Sequence, residues 1–146
     1  MRGSAVLDLY AGSGALGIEA LSRGAARAVF VDAEKAAIAA IRRNVEAAGF
    51  FDRAAIRQAS AKTALRDLTA DGERFDLIFL DPPYRIEAVQ LEAVVGAAAL
   101  RLKDSGSAIL EHSAGQQLPR FEEPVEAYDV RHYGDTGLTF FERRDN

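Results

Sequence analysis

The sequence contains no cysteine and no tryptophan, and its one methionine is residue 1. Without cysteine, disulfides, thiolate metal sites and cysteine nucleophiles are excluded, and a reducing, cytoplasmic location is favoured. No apolar run approaches the roughly 20 residues of a membrane-spanning helix. The first residues also lack the charged-then-apolar pattern of an export signal. We therefore expect a cytoplasmic protein with no membrane partner.

An excess of basic residues is lacking as well. The formal net charge is −4, which argues against binding of nucleic acid through overall charge and leaves only local basic patches for a polyanion. The 146 residues are 49% hydrophobic, enough for the core of one compact domain and too few for two. We predict a single domain over residues 1–146, and we expect a monomer.

Strand and helix patterns alternate along the chain. Short apolar or β-branched runs predict five strands, at Ala5–Tyr10, Ala28–Asp32, Ala54–Gln58, Phe75–Leu80 and Ser107–Glu111. Helical periodicity separates them, through Ile18 to Arg23 and over Ala33–Ala48, Lys62–Thr69 and Glu87–Leu102. The end of the chain differs, because Tyr128–Tyr133 and Gly137–Glu142 flank a short turn as in a hairpin. The sequence predicts an α/β fold with seven strands, mostly parallel, with helices on both faces.

A glycine-rich loop follows the first strand. Gly12, Gly14 and Gly17 satisfy G-x-G-x-x-G between a strand and a helix, the setting of a dinucleotide site. Glycine allows a sharp turn and lets a ligand approach the N-terminus of the helix. The spacing alone leaves the ligand open, and a tight turn without a ligand is the simplest alternative.

Two acids near this loop change the choice of ligand. Asp8 lies inside the first strand, where its carboxylate would repel a pyrophosphate and attract an ammonium or sulfonium group. Asp32 ends the second strand and is placed to accept hydrogen bonds from a ribose diol. As an alternative, Asp32 caps the N-terminus of the following helix.

The fourth predicted strand ends in Asp81-Pro82-Pro83-Tyr84. Proline lacks an N–H and fixes φ, so the chain leaves the sheet as a stiff segment with free carbonyl acceptors. Together with the Asp81 carboxylate and the flat face of Tyr84, these acceptors suit a planar base that bears an exocyclic amine. Two acceptors could aim the lone pair of that amine at a sulfonium methyl. A proline-rich turn with a packed aromatic ring is the structural alternative.

The pairing of DLYAGSGALG with DPPY resembles the class I S-adenosylmethionine-dependent amino-methyltransferases. More narrowly, VLDLYAGSGALGIEALSRGAARAVFVD, Arg42-Arg43-Asn44, FDLIFLDPPY and YGDTGLTFFERR are similar to the RsmD family. Its bacterial enzymes methylate N2 of a guanine, guanine 966, in 16S ribosomal RNA. The similarity covers nearly the whole chain, although DPPY alone also occurs in adenine-N6 DNA methyltransferases.

The resemblance assigns roles to individual residues. It implies that Asp8, Ala11, Gly12 and Gly14 line the methionine part of S-adenosylmethionine and that Asp32 binds its ribose. It also implies that Ser60 and Ala61 border the adenine, that Asp81 and Pro82 hold the target amine, and that Tyr84 stacks on the guanine. Pro83 and Arg85 would contact the substrate, Arg85 at a phosphate beside the flipped-out nucleotide.

Two departures from the family pattern affect these expectations. The first strand begins within a few residues of Met1, whereas the family carries an N-terminal extension that helps cover the cofactor and meet RNA. If the chain is truncated, we expect weaker binding of cofactor or RNA. In addition, Ser60 stands where many class I enzymes have an acid, and a hydroxyl accepts a hydrogen bond from the adenine amine more weakly.

The remaining polar residues carry less information. His112 and His132 lack the spacing of metal ligands, so no metal site is predicted. His112 follows the fifth predicted strand and is a candidate for the border of the substrate pocket, although a capping or solvent-facing role is the commoner one.

We interpret the sequence as an N2-guanine methyltransferase whose partner is 16S ribosomal RNA or the assembling small subunit. An adenine-N6 DNA methyltransferase, a non-catalytic cofactor-binding module and a nicotinamide oxidoreductase are the alternatives. The small size disfavours the first, the intact DPPY motif the second, and Asp8 together with DPPY the third.

Overall fold

A computed structural model describes residues 1–144 as a single sheet flanked by helices. The seven strands are β1 Ala5–Leu9, β2 Arg27–Asp32, β3 Ala54–Gln58, β4 Phe75–Leu80, β5 Leu102–Ser113, β6 Val125–Tyr133 and β7 Thr136–Arg143. The four α-helices are α1 Ala15–Ser22, α2 Lys35–Ala48, α3 Ala61–Ala70 and α4 Ala88–Ala99, and a short 3-10 turn covers Phe51–Arg53. None of the helices in this range is long and apolar enough to span a membrane.

The strand order is β3-β2-β1-β4-β5-β7-β6, so β1 and β4 are neighbours near the centre of the sheet. The first five strands are parallel, and β7 pairs antiparallel with both β5 and β6. From β1 the chain runs outward to β2 and β3 and then returns to β4 on the other side of β1. The loops after β1 and β4 therefore face each other at the switch point, where open α/β sheets bind ligands.

The sheet is buried between two apolar layers. Helices α1 and α2 pack on one face around Phe30 and Ile41, and α3 and α4 pack on the other around Leu68 and Val95. All five residues of β1 are buried, because their side chains alternate between the two layers. Asp8 is the exception within this apolar strand, which marks it as a residue kept for something other than packing.

The expected fold class is confirmed, and the main difference lies in β5. This strand begins at Leu102, not at Ser107, because Leu102 pairs with Phe75 at the start of β4 and a bulge precedes the next pair, Leu77 with Ser107. Gly106 permits the bulge, since a Cβ there would lie 2.9 Å from the Phe75 carbonyl oxygen. The helix before it, α4, ends at Ala99 and so is shorter than the expected Glu87–Leu102.

We expect Gly17→Ala to destabilise the protein even though alanine favours helices. A Cβ at Gly17 would lie 2.3 Å from Cε1 of Phe30, a core ring with no solvent exposure. Overpacking of this kind costs about 1–3 kcal/mol, which urea unfolding would measure. Gly96→Ala in α4 is the matched control: apart from the backbone of its own helix and its chain neighbours, no described atom lies within 4 Å of its Cβ position, so a gain of about 0.5–1 kcal/mol is expected. Equal changes in the free energy of unfolding for the two variants would contradict the close contact between Gly17 and Phe30.

Candidate active site

The loop between β1 and α1 is held in a shape that favours glycine. Gly12 and Gly14 have φ values of 60° and 83°, in the left-handed region where a side chain is strained. The Ala11 N–H donates to the Val31 carbonyl at 2.9 Å, which fixes the loop to β2. Apart from Gly12 itself and its two chain neighbours, no atom of residues 1–144 lies within 4 Å of the Cβ position of Gly12, so this side of the loop is open to a ligand.

Asp8 lies beneath this loop and is only 2% exposed. Its Oδ2 accepts a 3.1 Å hydrogen bond from the Gly17 N–H, the one hydrogen bond its side chain makes within residues 1–144. Burial raises the pKa of Asp8 to about 7, and the nearby charges of Asp81 and Asp32 act in the same direction, against the Gly17 hydrogen bond. Because no cationic group of residues 1–144 offsets its burial, the ionised form of Asp8 is disfavoured. A positively charged ligand group in the cleft would stabilise that form.

Asp32 positions the loop from the neighbouring strand. Its Oδ2 accepts from the Gly12 N–H at 2.9 Å and its Oδ1 accepts from the Glu34 N–H at 2.9 Å. The capping alternative for Asp32 is wrong, because α2 begins at Lys35 and Glu34 is its N-cap residue. Each carboxylate oxygen still has a lone pair for another donor, such as a ribose hydroxyl.

Ser60 and Ala61 lie where β3 passes into α3, next to the end of β2. Ser60 is the N-cap of α3, and its Oγ accepts a 3.2 Å hydrogen bond from the Thr63 N–H. This capping role, absent from the sequence interpretation, uses an acceptor site of the hydroxyl. The O–H itself remains a donor, so a contact with a ligand is still compatible with the cap.

The loop after β4 carries the DPPY residues out of the sheet. The Pro83 carbonyl accepts a 3.0 Å hydrogen bond from the Ile86 N–H, so it is not the free acceptor that the sequence suggested. No hydrogen bond from residues 1–144 reaches the Pro82 carbonyl, which remains available. Tyr84 is 81% exposed, and Arg85 is exposed beside it.

A cavity of about 210 Å³ adjoins this loop, and we call it the loop pocket. It lies between the DPPY loop, the end of β5 and the turn between β6 and β7. Its walls include three carboxylates and a histidine. The lining residues are Asp81, Pro82, Pro83, Tyr84, Ile86, Leu91, Leu110, Glu111, His112, Ser113, Gln116, Asp135 and Thr136.

Glu111 stands beside Asp81 at the edge of the sheet. Leu80 pairs with Leu110 in the parallel ladder of β4 and β5. The residues that follow them, Asp81 and Glu111, are therefore neighbours. Their carboxyl groups are close enough to share a hydrogen bond when one of them is protonated. Partial desolvation raises the pKa of Asp81 to about 6, and the hydrogen bond and charge of Glu111 add to the shift.

His112 lies within β5, not after it as the sequence suggested, and it lines the loop pocket. Its Nε2 is 2.7 Å from Thr139 Oγ1 and its Nδ1 is 2.9 Å from the Ser113 carbonyl oxygen. The ring packs on Gly137, where a Cβ would lie 2.4 Å from the imidazole. Both ring nitrogens thus have protein partners, and His112 shapes the wall of the loop pocket.

Four carboxylates lie on the same face of the sheet near the carboxyl ends of its strands. We call them the acid row: Asp8, Asp32, Asp81 and Glu111. The register supports the shared face, since Asp8 pairs with Phe30 and Phe79, and the latter pairs with Ile109. Asp32, Asp81 and Glu111 each follow one of these by two residues, so they point the same way. A molecule with a sulfonium and an ammonium group fits such a row.

The acid row contains one residue that sequence reasoning missed. Glu111 ends the predicted strand SAILE much as Asp81 follows FDLIFL, and that likeness was the available signal. Gln116 and Asp135 of the loop pocket had no signal: Gln116 is placed by a turn after β5, and Asp135 is brought there only by the antiparallel pairing of β7 with β5. Within residues 1–144 there is no group of three or more side chains suited to a metal ion.

The sheet order, the antiparallel last strand and the glycine loop define the class: this is the fold of the class I S-adenosylmethionine-dependent methyltransferases. A family model described as "Conserved hypothetical protein 95" matches residues 1–142. The chain belongs to this family, the RsmD-like S-adenosylmethionine-dependent methyltransferases, as the sequence resemblance indicated.

Individual relatives agree with this assignment. A Bacillus subtilis protein named "Putative rRNA methyltransferase YlbH" is 33% identical over 138 residues, 94% of this chain and 75% of that protein. "Ribosomal RNA small subunit methyltransferase D" of Escherichia coli strain K12 is 35% identical over 83 residues, 54% of this chain and 38% of that protein. The solved structure "Putative methyltransferase yhhF from Escherichia coli" superposes with a TM-score of 0.83 at 25% identity, over 99% of this chain and 80% of that one.

Proposed function

We propose that the protein transfers a methyl group from S-adenosylmethionine to the exocyclic N2 amine of a guanine in small-subunit ribosomal RNA, at guanine 966. The observation that carries this proposal is the meeting of two loops at the switch point: Asp8 beneath the glycine loop lies close enough to Asp81 for their charges to interact. The family membership and the names of the ribosomal RNA methyltransferases among the relatives support the substrate class. Work on ribosomal RNA would take place in the cytoplasm.

The cofactor would lie at the end of the acid row formed by Asp8 and Asp32, and the substrate base at the end formed by Asp81 and Glu111. Asp8 would bind the ammonium group of the methionine part, since it is buried and lacks a cationic partner in residues 1–144. Ala11, Gly12 and Gly14 would contact the same part through the open side of the loop, and Asp32 would accept from the ribose. Ser60 and Ala61 would border the adenine at the end of β3.

The chemistry follows from the acceptors of the DPPY loop. Bound S-adenosylmethionine would supply an electrophilic methyl group on its sulfonium. The Asp81 carboxylate and the Pro82 carbonyl would each accept one N–H of the amine, which turns its lone pair toward that methyl group. The N–C bond forms as the S–C bond breaks, and the extra proton leaves the nitrogen to Asp81 or to water.

The substrate would enter at the loop pocket. Tyr84 would stack on the flipped-out guanine, which fits its exposure at the rim. Pro83 would border the base, and Arg85, exposed next to Tyr84, would meet an adjoining phosphate. Such local contacts suit a chain whose net charge of −4 gives no general attraction for RNA.

Transfer of labelled methyl to small ribosomal subunits that lack the modification tests the proposal. Nucleoside analysis should place the label in N2-methylguanosine, and mapping should locate it at guanine 966. Label in N6-methyladenosine on a DNA substrate, with none on the subunits, would replace the proposal with the adenine alternative. Binding of S-adenosylmethionine with no transfer to either would favour a non-catalytic module.

A further inference from the structure

We propose that Glu111 selects guanine by accepting its N1–H, beside the amine that Asp81 and Pro82 hold. The inference deepens the proposed function and rests on it. The acceptors of the DPPY loop explain how an amine is held, but they do not distinguish the N2 amine of guanine from the N6 amine of adenine. A further acceptor beside them would make that distinction.

The geometry places Glu111 at the required point. It is next to Asp81 across the β4–β5 ladder, it is close enough to Asp81 to raise its pKa, and it lines the same cavity. On the opposite strand its partner Leu138 offers no polar side chain. Apart from its interaction with Asp81, the Glu111 carboxyl group has no side-chain hydrogen bond within residues 1–144, so once both acids are ionised its lone pairs are free for a substrate.

The edges of the two bases differ at the atom next to the amine. In guanine the C2 amine is flanked by N1–H, a donor, so three N–H bonds point to one side. In adenine the C6 amine is flanked by N1, an acceptor, whose lone pair would face the Glu111 carboxylate. Two carboxylates and the Pro82 carbonyl match the three donors of guanine, and they repel adenine.

Other polar groups of the loop pocket are less suited to this role. His112 uses both ring nitrogens on protein atoms. The Oε1 atom of Gln116 accepts from the Ser113 N–H at 3.4 Å. Asp135 is the remaining carboxylate. It belongs to the turn between β6 and β7 and, unlike Glu111, does not affect the pKa of Asp81. It therefore provides a matched control.

The test compares guanine with a base that keeps the C2 amine but lacks both N1–H and the C6 oxygen. Splint-ligated 16S ribosomal RNA, assembled into subunits, would carry guanine or 2-aminopurine at the target position; 2-aminopurine keeps the C2 amine but has no N1–H. With the wild-type protein we expect kcat/KM to be roughly 100-fold lower for 2-aminopurine, the effect of losing a hydrogen bond to a charged group. In Glu111→Gln the amide can donate to N1 of 2-aminopurine, so the preference should shrink to about 10-fold or less.

The control and the remaining outcomes decide between explanations. Asp135→Asn removes a negative charge from the same pocket and should leave the roughly 100-fold preference in place, whatever it does to the rate. A Glu111→Gln variant that keeps the full preference, or an Asp135→Asn variant that loses it, would overturn the role of Glu111.

A second measurement separates this inference from the proposed function. If no substrate is methylated, the proposed function fails, and equilibrium binding still tests Glu111. The probes are guanosine 5′-monophosphate and 2-aminopurine riboside 5′-monophosphate, added to protein saturated with S-adenosylhomocysteine. A preference for the guanine nucleotide that Glu111→Gln abolishes supports the inference, and equal binding of the two by the wild-type protein refutes it.

Discussion

Replacing Asp81 with alanine should lower turnover by on the order of 10³-fold while the affinity for S-adenosylmethionine changes by less than about threefold. The substitution removes the carboxylate that would hold the target amine and accept its proton, and it leaves the glycine loop untouched. Single-turnover transfer of labelled methyl measures the first quantity, and calorimetric titration of the cofactor measures the second.

Two further variants define what the carboxylate does. Asp81→Asn keeps an acceptor oxygen but no charge, so it should retain more activity than the alanine variant. Asp104→Ala removes an exposed acid at the far end of β5 and should have no effect. If Asp81→Ala loses cofactor binding together with turnover, Asp81 acts on the cofactor and the proposed role is wrong.

Asp8→Asn should make the protein more stable and its cofactor binding weaker. The buried carboxyl has its pKa raised from 3.8 to about 7, so ionisation is harder in the folded state than in the unfolded one. At pH 8 the variant should gain up to about 4 kcal/mol in the free energy of unfolding. It should bind S-adenosylmethionine about 10- to 100-fold less tightly, since the amide carries no charge for an ammonium group.

The pH dependence of this gain distinguishes burial from other causes. Below about pH 4, Asp8 is protonated in both states and contributes nothing. Between pH 4 and 7 the unfolded state releases the proton first, so the wild-type protein loses stability as the pH rises, and above 7 the loss is constant. Urea unfolding at pH 4, 6 and 8 should show the advantage of the variant growing along that series. A constant difference would assign it to packing.

Local sequence patterns predicted the parts of the site that a single loop contains. The glycine loop and the DPPY segment each combine a strand end with residues of special backbone geometry, and such signals lie within ten residues. The switch-point rule for parallel sheets then brought the two loops together without further information. Asp8 was recognisable because an acid inside an apolar strand conflicts with packing.

Contacts that depend on pairing between distant strands were not predictable in the same way. Glu111 meets Asp81 only because of the register of β4 and β5, which includes the bulge at Gly106. The third wall of the loop pocket depends on the antiparallel insertion of β7 between β5 and β6. The cap formed by Ser60 was missed for another reason: a serine before a helix is both a cap and a candidate ligand contact, and the sequence does not weigh the two.

The acid row has a consequence for the end of the catalytic cycle. Methyl transfer turns a sulfonium into a neutral thioether, so the spent cofactor carries one positive charge fewer than the donor. In the proposed cofactor site, Asp8 and Asp32 would attract the product less strongly than the donor, and the difference would be larger at Asp8, which is shielded from water. This difference would oppose product inhibition, because fresh donor would displace the spent cofactor.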